Sequence, residues 1–218
     1  MNWPTADEMR ALIPLPEGYR LERFELGHVA DLITGIKTWY PEISVGVNSG
    51  YLREDYYLNR IYLEGKNDRD IIVFPITFQG KLVGIWSLER EIDSLAVYGR
   101  ILIIALEHRG ANLGGIIPKG PEALGQFMGA AFIYGLATLK TPQAQRALES
   151  AGYRLLGFFP GYDREEISPG VVKRVYQAVY AKLLVPESEI LFPNPKNMTP
   201  TSSALFAMLF ADPQVADT

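Results

Sequence analysis

Residues 100–115 read RILIIALEHRGANLGG, and this stretch decides the fold. Arg100–Leu106 is apolar almost throughout. A strand without polar alternation is covered on both faces, so it belongs in the middle of a sheet. It opens directly into Glu107, His108, Arg109, Gly110, Ala111, Asn112, Leu113, Gly114 and Gly115. A strand ending in small residues ahead of a helix presents backbone N–H groups at a positive helix end, which suits a phosphate or pyrophosphate. Gly110, Asn112 and Gly114 supply the backbone freedom, because Asn visits the left-handed region cheaply. Arg109 adds a positive fork. No Gly-Lys-Ser/Thr follows, so this is not a Walker loop. The strands before it look like hairpin partners, which makes it a poor dinucleotide-binding fingerprint. An ordinary strand-to-helix turn is the plain alternative.

Working outward, Ile71–Phe78 and Leu82–Glu89 flank Gln79–Gly80–Lys81 and read as a hairpin, with Pro75 asking for an edge or a bulge. Upstream, Tyr19–Glu25 reads as a strand. His28–Tyr40 reads as a helix carrying Val29, Leu32, Ile33 and Ile36 on one face, stopped by Pro41. Tyr51–Tyr62 reads as a second helix. Downstream, Pro118 and Pro121 predict a split helix whose second piece runs from Pro121 to about Met128. Ala131–Thr138 is another buried strand. Thr141–Ala151 is a helix with Thr141 as N-cap. Leu155–Phe159 and Val171–Leu184 are strands, and Asp163–Arg164–Glu165 between them reads as a solvated loop. The order predicts an α+β or mixed α/β fold. Residues 1–17 read as an extended arm with one short helical turn around Glu8–Leu12, 18–184 as the domain, and 185–218 as a Pro-rich tail. The tail helix, Thr199–Ala211, is marginal alone, so Leu205, Met208 and Leu209 must dock on their own domain or on a second subunit of a homodimer.

Composition narrows the function. Lys plus Arg number 21 and Asp plus Glu 25, giving a net charge of −4, too little basicity for a nucleic-acid partner. There is no Cys, which removes disulfides, thiolate metal sites and acyl-enzymes through a thiol, and fits a cytoplasmic setting. Two histidines without cysteine give no expectation of a metal centre. No apolar run approaches the roughly 18 residues that cross a bilayer, so no membrane is expected. No Gly-x-Ser-x-Gly elbow is present.

Arg109–Gly114 (RGANLG) resembles the pyrophosphate loop of the GNAT acyltransferase superfamily, Arg/Gln-x-x-Gly-x-Gly/Ala. Arg109, Leu113 and Gly114 fit, and Asn112 replaces the middle Gly. Thr141–Tyr153 (TPQAQRALESAGY) resembles the family helix Asn-x-x-Ala-x-x-x-Tyr-x-x-x-Gly-Phe, with Thr141, Ala144, Leu148, Gly152 and Tyr153 at its marked positions. The resemblance covers roughly three quarters of the chain. It implies a central mixed sheet of six or seven strands flanked by helices, with two central strands splayed. It also implies acyl-CoA, most simply acetyl-CoA, as co-substrate. Leu148 departs from the family, because many members use Tyr there to protonate the leaving thiolate, and leucine has no proton to give.

The resemblance implies an N-acyltransferase in which an amine, small or on a protein, attacks the thioester directly. The strand edge at Ile104, Ala105, Leu106 and Glu107 would hold the pantetheine arm, and Arg109–Gly115 the pyrophosphate, with Thr141 nearby. Glu107 is the candidate general base, partly buried at the mouth of the cleft. His108 follows, then Glu89 and Glu91. Tyr51, Tyr56 and Tyr57 could line an acceptor pocket, or simply fill the core. Two other readings stay open: a non-catalytic CoA-binding module, and an acyltransferase served by an acyl-carrier protein.

Overall fold

The computed structural model describes residues 1–111, 113 and 119–210. It divides into two compact units, Met1–Leu184 and Val185–Thr218.

The first unit is built on seven strands: β1 (Tyr19–Leu21), β2 (Ile71–Phe78), β3 (Lys81–Glu91), β4 (Ala96–Ile104), β5 (Phe132–Thr138), β6 (Arg154–Ser168) and β7 (Val171–Leu183). Their order in space is β1-β2-β3-β4-β5-β7-β6. Every neighbouring pair is antiparallel except β4 and β5, which are parallel. The apolar strand of the opening stretch is thus central, and the sheet is mixed as its residue pattern predicts. Around it lie α1 (Ala6–Leu12), α2 (Val29–Trp39), α3 (Glu54–Arg60), α4 (Gly120–Met128) and α5 (Gln143–Ser150).

Side chains alternate across a strand, so the sheet has two apolar faces with different coverings. On the first face Ile72, Phe74, Trp86, Leu88, Val97 and Ile133 pack with Met9 of α1 and Leu124 and Met128 of α4. On the second, Ile71, Val73, Ile85 and Ile103 pack with Val29, Leu32 and Ile36 of α2 and with Tyr51 and Tyr57. The spacing of the α2 residues puts them on one helical face, as the sequence requires.

Several elements differ from their sequence reading for physical reasons. Residues 1–17 put Trp3, Met9 and Ile13 into the core instead of extending as an arm, and the helical turn expected around Glu8–Leu12 is α1, opened by a reciprocal Thr5–Glu8 capping box. The tyrosine-rich stretch is a 3-10 turn at Ser49–Leu52 followed by α3, because Tyr51 turns inward instead of continuing a helix. Pro75 lies on an interior strand. It is accommodated because β1 pairs only with Ile76, Thr77 and Phe78, and a bulge follows at Ile76/Thr77. Asp163, Arg164 and Glu165 are strand residues paired with Val175, Arg174 and Lys173, and Glu165 is buried. The solvated-loop reading took charged residues as exposed, yet Glu165 is held by Lys140 at 2.6 Å.

In the second unit, α6 (Pro200–Phe210) begins at Thr199, whose hydroxyl accepts from the Ser202 N–H at 3.2 Å. Phe206 and Phe210 meet along it at a tilt of 41°, with centroids 5.0 Å apart. Among the described residues, no helix is long and apolar enough to cross a membrane.

Candidate active site

The parallel ladder between β4 and β5 is short. It joins Ala96 to Phe132, Val97 to Ile133, Tyr98 to Tyr134 and Gly99 to Gly135, and then stops. Beyond it β4 runs on to Ile104 beside β3, and β5 to Thr138 beside β7, without pairing with each other. The two strands therefore form a V whose apex is the Gly99–Gly135 rung. A bulge opens it: Ser87 faces Ile101 and Leu88 faces Gly99, leaving Arg100 as the extra residue on β4. A bulge bends its strand and re-aims the side chains beside it.

The two faces of the apex differ. Val97 and Ile133 belong to the first-face core, so by alternation Gly99 and Gly135 present bare backbone on that face. A Cβ on either would find only ordinary contacts, at 3.6 Å and 3.8 Å. Glycine inside a strand weakens it and often marks a close approach by a ligand. On the second face Tyr98 and Tyr134 stack, with centroids 4.8 Å apart.

Beside them lies a polar chain. The Ser87 hydroxyl donates to the Ile72 carbonyl at 2.7 Å and so accepts from Tyr51, at 2.6 Å. Arg100 Nε donates to the Tyr51 hydroxyl at 3.2 Å, and its fork also pairs with the Glu89 carboxylate. Glu91 accepts from the Tyr134 hydroxyl. Burial pushes the Tyr98 phenol well above its ordinary value, against the pull of Arg100. Burial and the hydrogen bond to Glu91 do the same for Tyr134. Both phenols are neutral donors through the physiological range.

The loop residues fall differently from expectation. The open edge of β4 is Leu102–Ile104 instead of Ile104–Glu107. The Ala105 N–H is spent on the Val83 carbonyl at 2.8 Å, and its carbonyl on the His108 N–H at 3.0 Å. Alternation then turns the main-chain groups of Ile104 and Leu102 toward the gap, where Arg109 already takes the Ile104 carbonyl. Leu106, Glu107 and His108 form a 3-10 turn, in which Leu106 and Glu107 are exposed. Glu107 is thus not the partly buried carboxylate anticipated, because the strand ends before it. His108 Nδ1 is 2.7 Å from the Tyr19 hydroxyl, with the ring against Phe78, so it ties the turn to β1 and β2.

Arg109 does not stand free. Its Nε donates to the Ile104 carbonyl at 3.0 Å and its NH2 to the Trp39 carbonyl at 2.9 Å. Gly110 is exposed, Ala111 follows it, and Leu113 is fully buried in the first-face core. Asn112, Gly114 and Gly115 lie outside the described residues, so their part of the anticipated phosphate loop does too.

Thr141 is exposed and does not cap α5. Pro142 takes the N-cap position, and the Thr141 carbonyl accepts from Gln145 Nε2 at 3.2 Å. Leu148 packs against the first-face core. Among the described residues no group of three or more His, Asp and Glu is arranged to hold a metal ion.

Sequence reasoning missed Arg100 and the apex glycines. A signal was there: Tyr98–Gly99 and Tyr134–Gly135 repeat one dipeptide in both central strands. The free V, its glycine apex and the open β4 edge fit an extended thioester-bearing arm such as pantetheine.

No family model matches the sequence, and none of the curated proteins matches it. Solved structures do. A mutant form of the spermidine/spermine N-acetyltransferase SpeG of Vibrio cholerae superposes with a TM-score of 0.60 at 15% identity, covering 77% of this chain and 94% of its own. The microcin C7 self-immunity acetyltransferase MccE, solved with acetyl-CoA and AMP, gives 0.56 at 14% identity over 77% and 93%. RimL, a ribosomal alpha-N-protein acetyltransferase solved with coenzyme A, gives 0.58 at 12% identity over 79% and 97%. The chain has the fold of the GNAT acetyltransferases.

Proposed function

We propose that the protein is an acyl-CoA-dependent N-acyltransferase, with acetyl-CoA as the simplest donor. The observation that carries this is the β4–β5 ladder, which ends at Gly99–Gly135 and leaves an open V. The pantetheine arm would lie along the Leu102–Ile104 edge, with the thioester against the bare apex on the first face. The pyrophosphate would rest on residues 109–115, the stretch that carries the loop motif. A free amine would approach from the second face and attack the thioester carbonyl. The C–S bond breaks, and CoA leaves as the thiolate. Positioning supplies most of the rate advantage.

The amine must lose a proton. Glu107, at the end of the central strand, and His108, beside the loop, are the candidates the sequence suggests. Glu89 has the stronger geometric support, because it pairs in register with Tyr98, one rung from the apex, and its other neighbour is Arg100. Arg100 fixes the position of the Glu89 carboxylate beside the apex, where it would take the amine proton through a water.

The test is thiol release from acetyl-CoA with a panel of amines. The chain has no Cys, so every thiol detected is CoA. Glu89→Gln keeps a hydrogen-bond acceptor for Arg100. It should cut turnover by on the order of a hundredfold with acetyl-CoA affinity retained. Glu107→Gln should stay near wild type. The reverse order would return the role to Glu107.

Leu148 favours a second reading, a CoA-binding module that does no chemistry, since it leaves the position of the family's usual proton donor apolar. Acetyl-CoA binding without thiol release on any amine would select it.

A further inference from the structure

A chain of hydrogen bonds links the backbone of β2 to the carboxylate beside the apex, and its hydrogens can point only one way. The Ser87 hydroxyl gives its hydrogen to the Ile72 carbonyl at 2.7 Å, so toward Tyr51 it can only accept. The Tyr51 hydroxyl therefore spends its own hydrogen on Ser87, at 2.6 Å, and turns a lone pair to Arg100 Nε at 3.2 Å. Arg100 in turn holds Glu89 through Nη1. Ser87 and Tyr51 are both 0% exposed, so bulk water does not compete for these bonds.

Three parts of the fold converge to build it. The bulge between β3 and β4 puts Arg100 and Ile101, successive residues, on the same face: Ile101 packs on the second-face core while Arg100 meets Tyr51 and Tyr98 there. The Tyr98 ring backs the guanidinium, 5.6 Å from its centroid. Tyr51 is pinned at its main chain as well, since its carbonyl accepts from the Tyr57 hydroxyl at 2.9 Å. The sequence left Tyr51 as either an acceptor-pocket wall or core filling. Wholly buried, it touches no acceptor, and its hydroxyl reaches the reaction only through Arg100.

We infer that Tyr51 is a positioning residue for the Glu89 carboxylate, acting through Arg100, with Ser87 as its anchor. The inference rests on the acyltransferase reading above, with Glu89 as the base. Arg100 and Glu89 form an ion pair that could turn as a unit, because each holds the other wherever the two side chains go. The Tyr51 oxygen is the contact that ties the pair to the buried Ser87 and so to the backbone of β2. Removing it leaves both charges in place and loosens only their aim. The loss then falls on the proton-transfer step, which depends on alignment, and spares the donor, which binds on the first face.

The test is a double-mutant cycle on thiol release from acetyl-CoA by the full chain. The acceptors are n-butylamine, 2-phenylethylamine, 1,4-diaminobutane and an alanyl peptide, and the fastest of them carries the cycle. Tyr51→Phe should lower kcat by about tenfold or more, with acetyl-CoA affinity unchanged by calorimetry. In a Glu89→Gln background the same change should cost less than about twofold, because the group it aims is already gone. Ser87→Ala keeps the Tyr51 hydroxyl and removes only its anchor. It should repeat the pattern at smaller size, and it carries the test if Tyr51→Phe does not fold. Tyr180→Phe, which deletes a buried phenol's bond to Glu149, should leave kcat at the parental value and controls for the loss of a tyrosine hydroxyl as such. Parental kcat in both Tyr51→Phe and Ser87→Ala, or losses of equal size in the two backgrounds, overturns the positioning role alone. A Glu89→Gln variant at the parental rate removes the base and this role with it. A parent that releases no thiol with any of the four amines overturns the acyltransferase reading and everything built on it.

Discussion

Gly99 and Gly135 face each other as the last rung between the two parallel strands, each with only the other strand's backbone near its missing side chain. The rung is where the sheet stops being a sheet. Below it, three more pairs hold β4 to β5. Above it, the bulge at Arg100 bends β4 away. A side chain at either glycine would project into the apex on the first face, where the thioester would lie.

Arg109 acts as a strut. It joins the end of β4 to the end of α2 through two carbonyls. Arg109→Ala should lower stability by about 1–2 kcal/mol, read from denaturant unfolding, because two carbonyls lose a charged donor at a partly open site. Arg109→Lys should recover only part of this, since an ammonium cannot reproduce the fork. A variant as stable as the parent would show that the strut carries no weight.

The N-terminal segment is part of the core. Met9 is fully buried beneath the sheet. Met9→Ala should cost about 2–5 kcal/mol, in the range for large-to-small changes in a core. Thermal melting of the variant checks this, and an unchanged midpoint would mean the arm is a loose appendage.

Acid should loosen residues 41–48, which the Ser44 hydroxyl ties to Glu166 of β6. Glu166 accepts from the Gly170 N–H and the Ser44 hydroxyl, and these bonds hold its carboxyl below the ordinary 4.5. A carboxyl lowered in the folded state contributes stability above its unfolded value and loses it as pH falls through the folded one. Amide exchange in residues 41–48 should therefore rise, beyond the intrinsic pH trend, as pH drops from 5 through about 4 and below. Ser44→Ala should show the faster exchange already at pH 6. Protection that is the same at both ends of the range would leave this tie without energetic consequence.

The layout of the sheet was legible because burial writes itself into sequence. Arg100–Leu106 is apolar without alternation, and residues 100–104 lie in the interior strand β4. The helical spacing of Val29, Leu32 and Ile36 likewise survives in α2. The site was less legible, because it is made by long-range register. Glu89 sits beside the apex only because β3 pairs with β4 after a bulge, and no local pattern reports a bulge. The anticipated edge at Ile104–Glu107 moved back to Leu102–Ile104, because a buried strand and a following 3-10 turn share the same apolar residues. Asp163–Arg164–Glu165 read as a loop from its charges. It is strand because β7, Val47 and Lys140 supply partners from elsewhere along the chain.

The central claim is that the V receives an acyl-CoA at its glycine apex. Calorimetric titration of acetyl-CoA into the parent and into Gly135→Val tests it most directly. The parent should bind one equivalent. The variant should melt at or above the parental temperature, since valine suits a strand better than glycine, yet bind at least about tenfold more weakly. A parent that binds no acetyl-CoA, or a folded variant that binds it as tightly as the parent, would contradict the account.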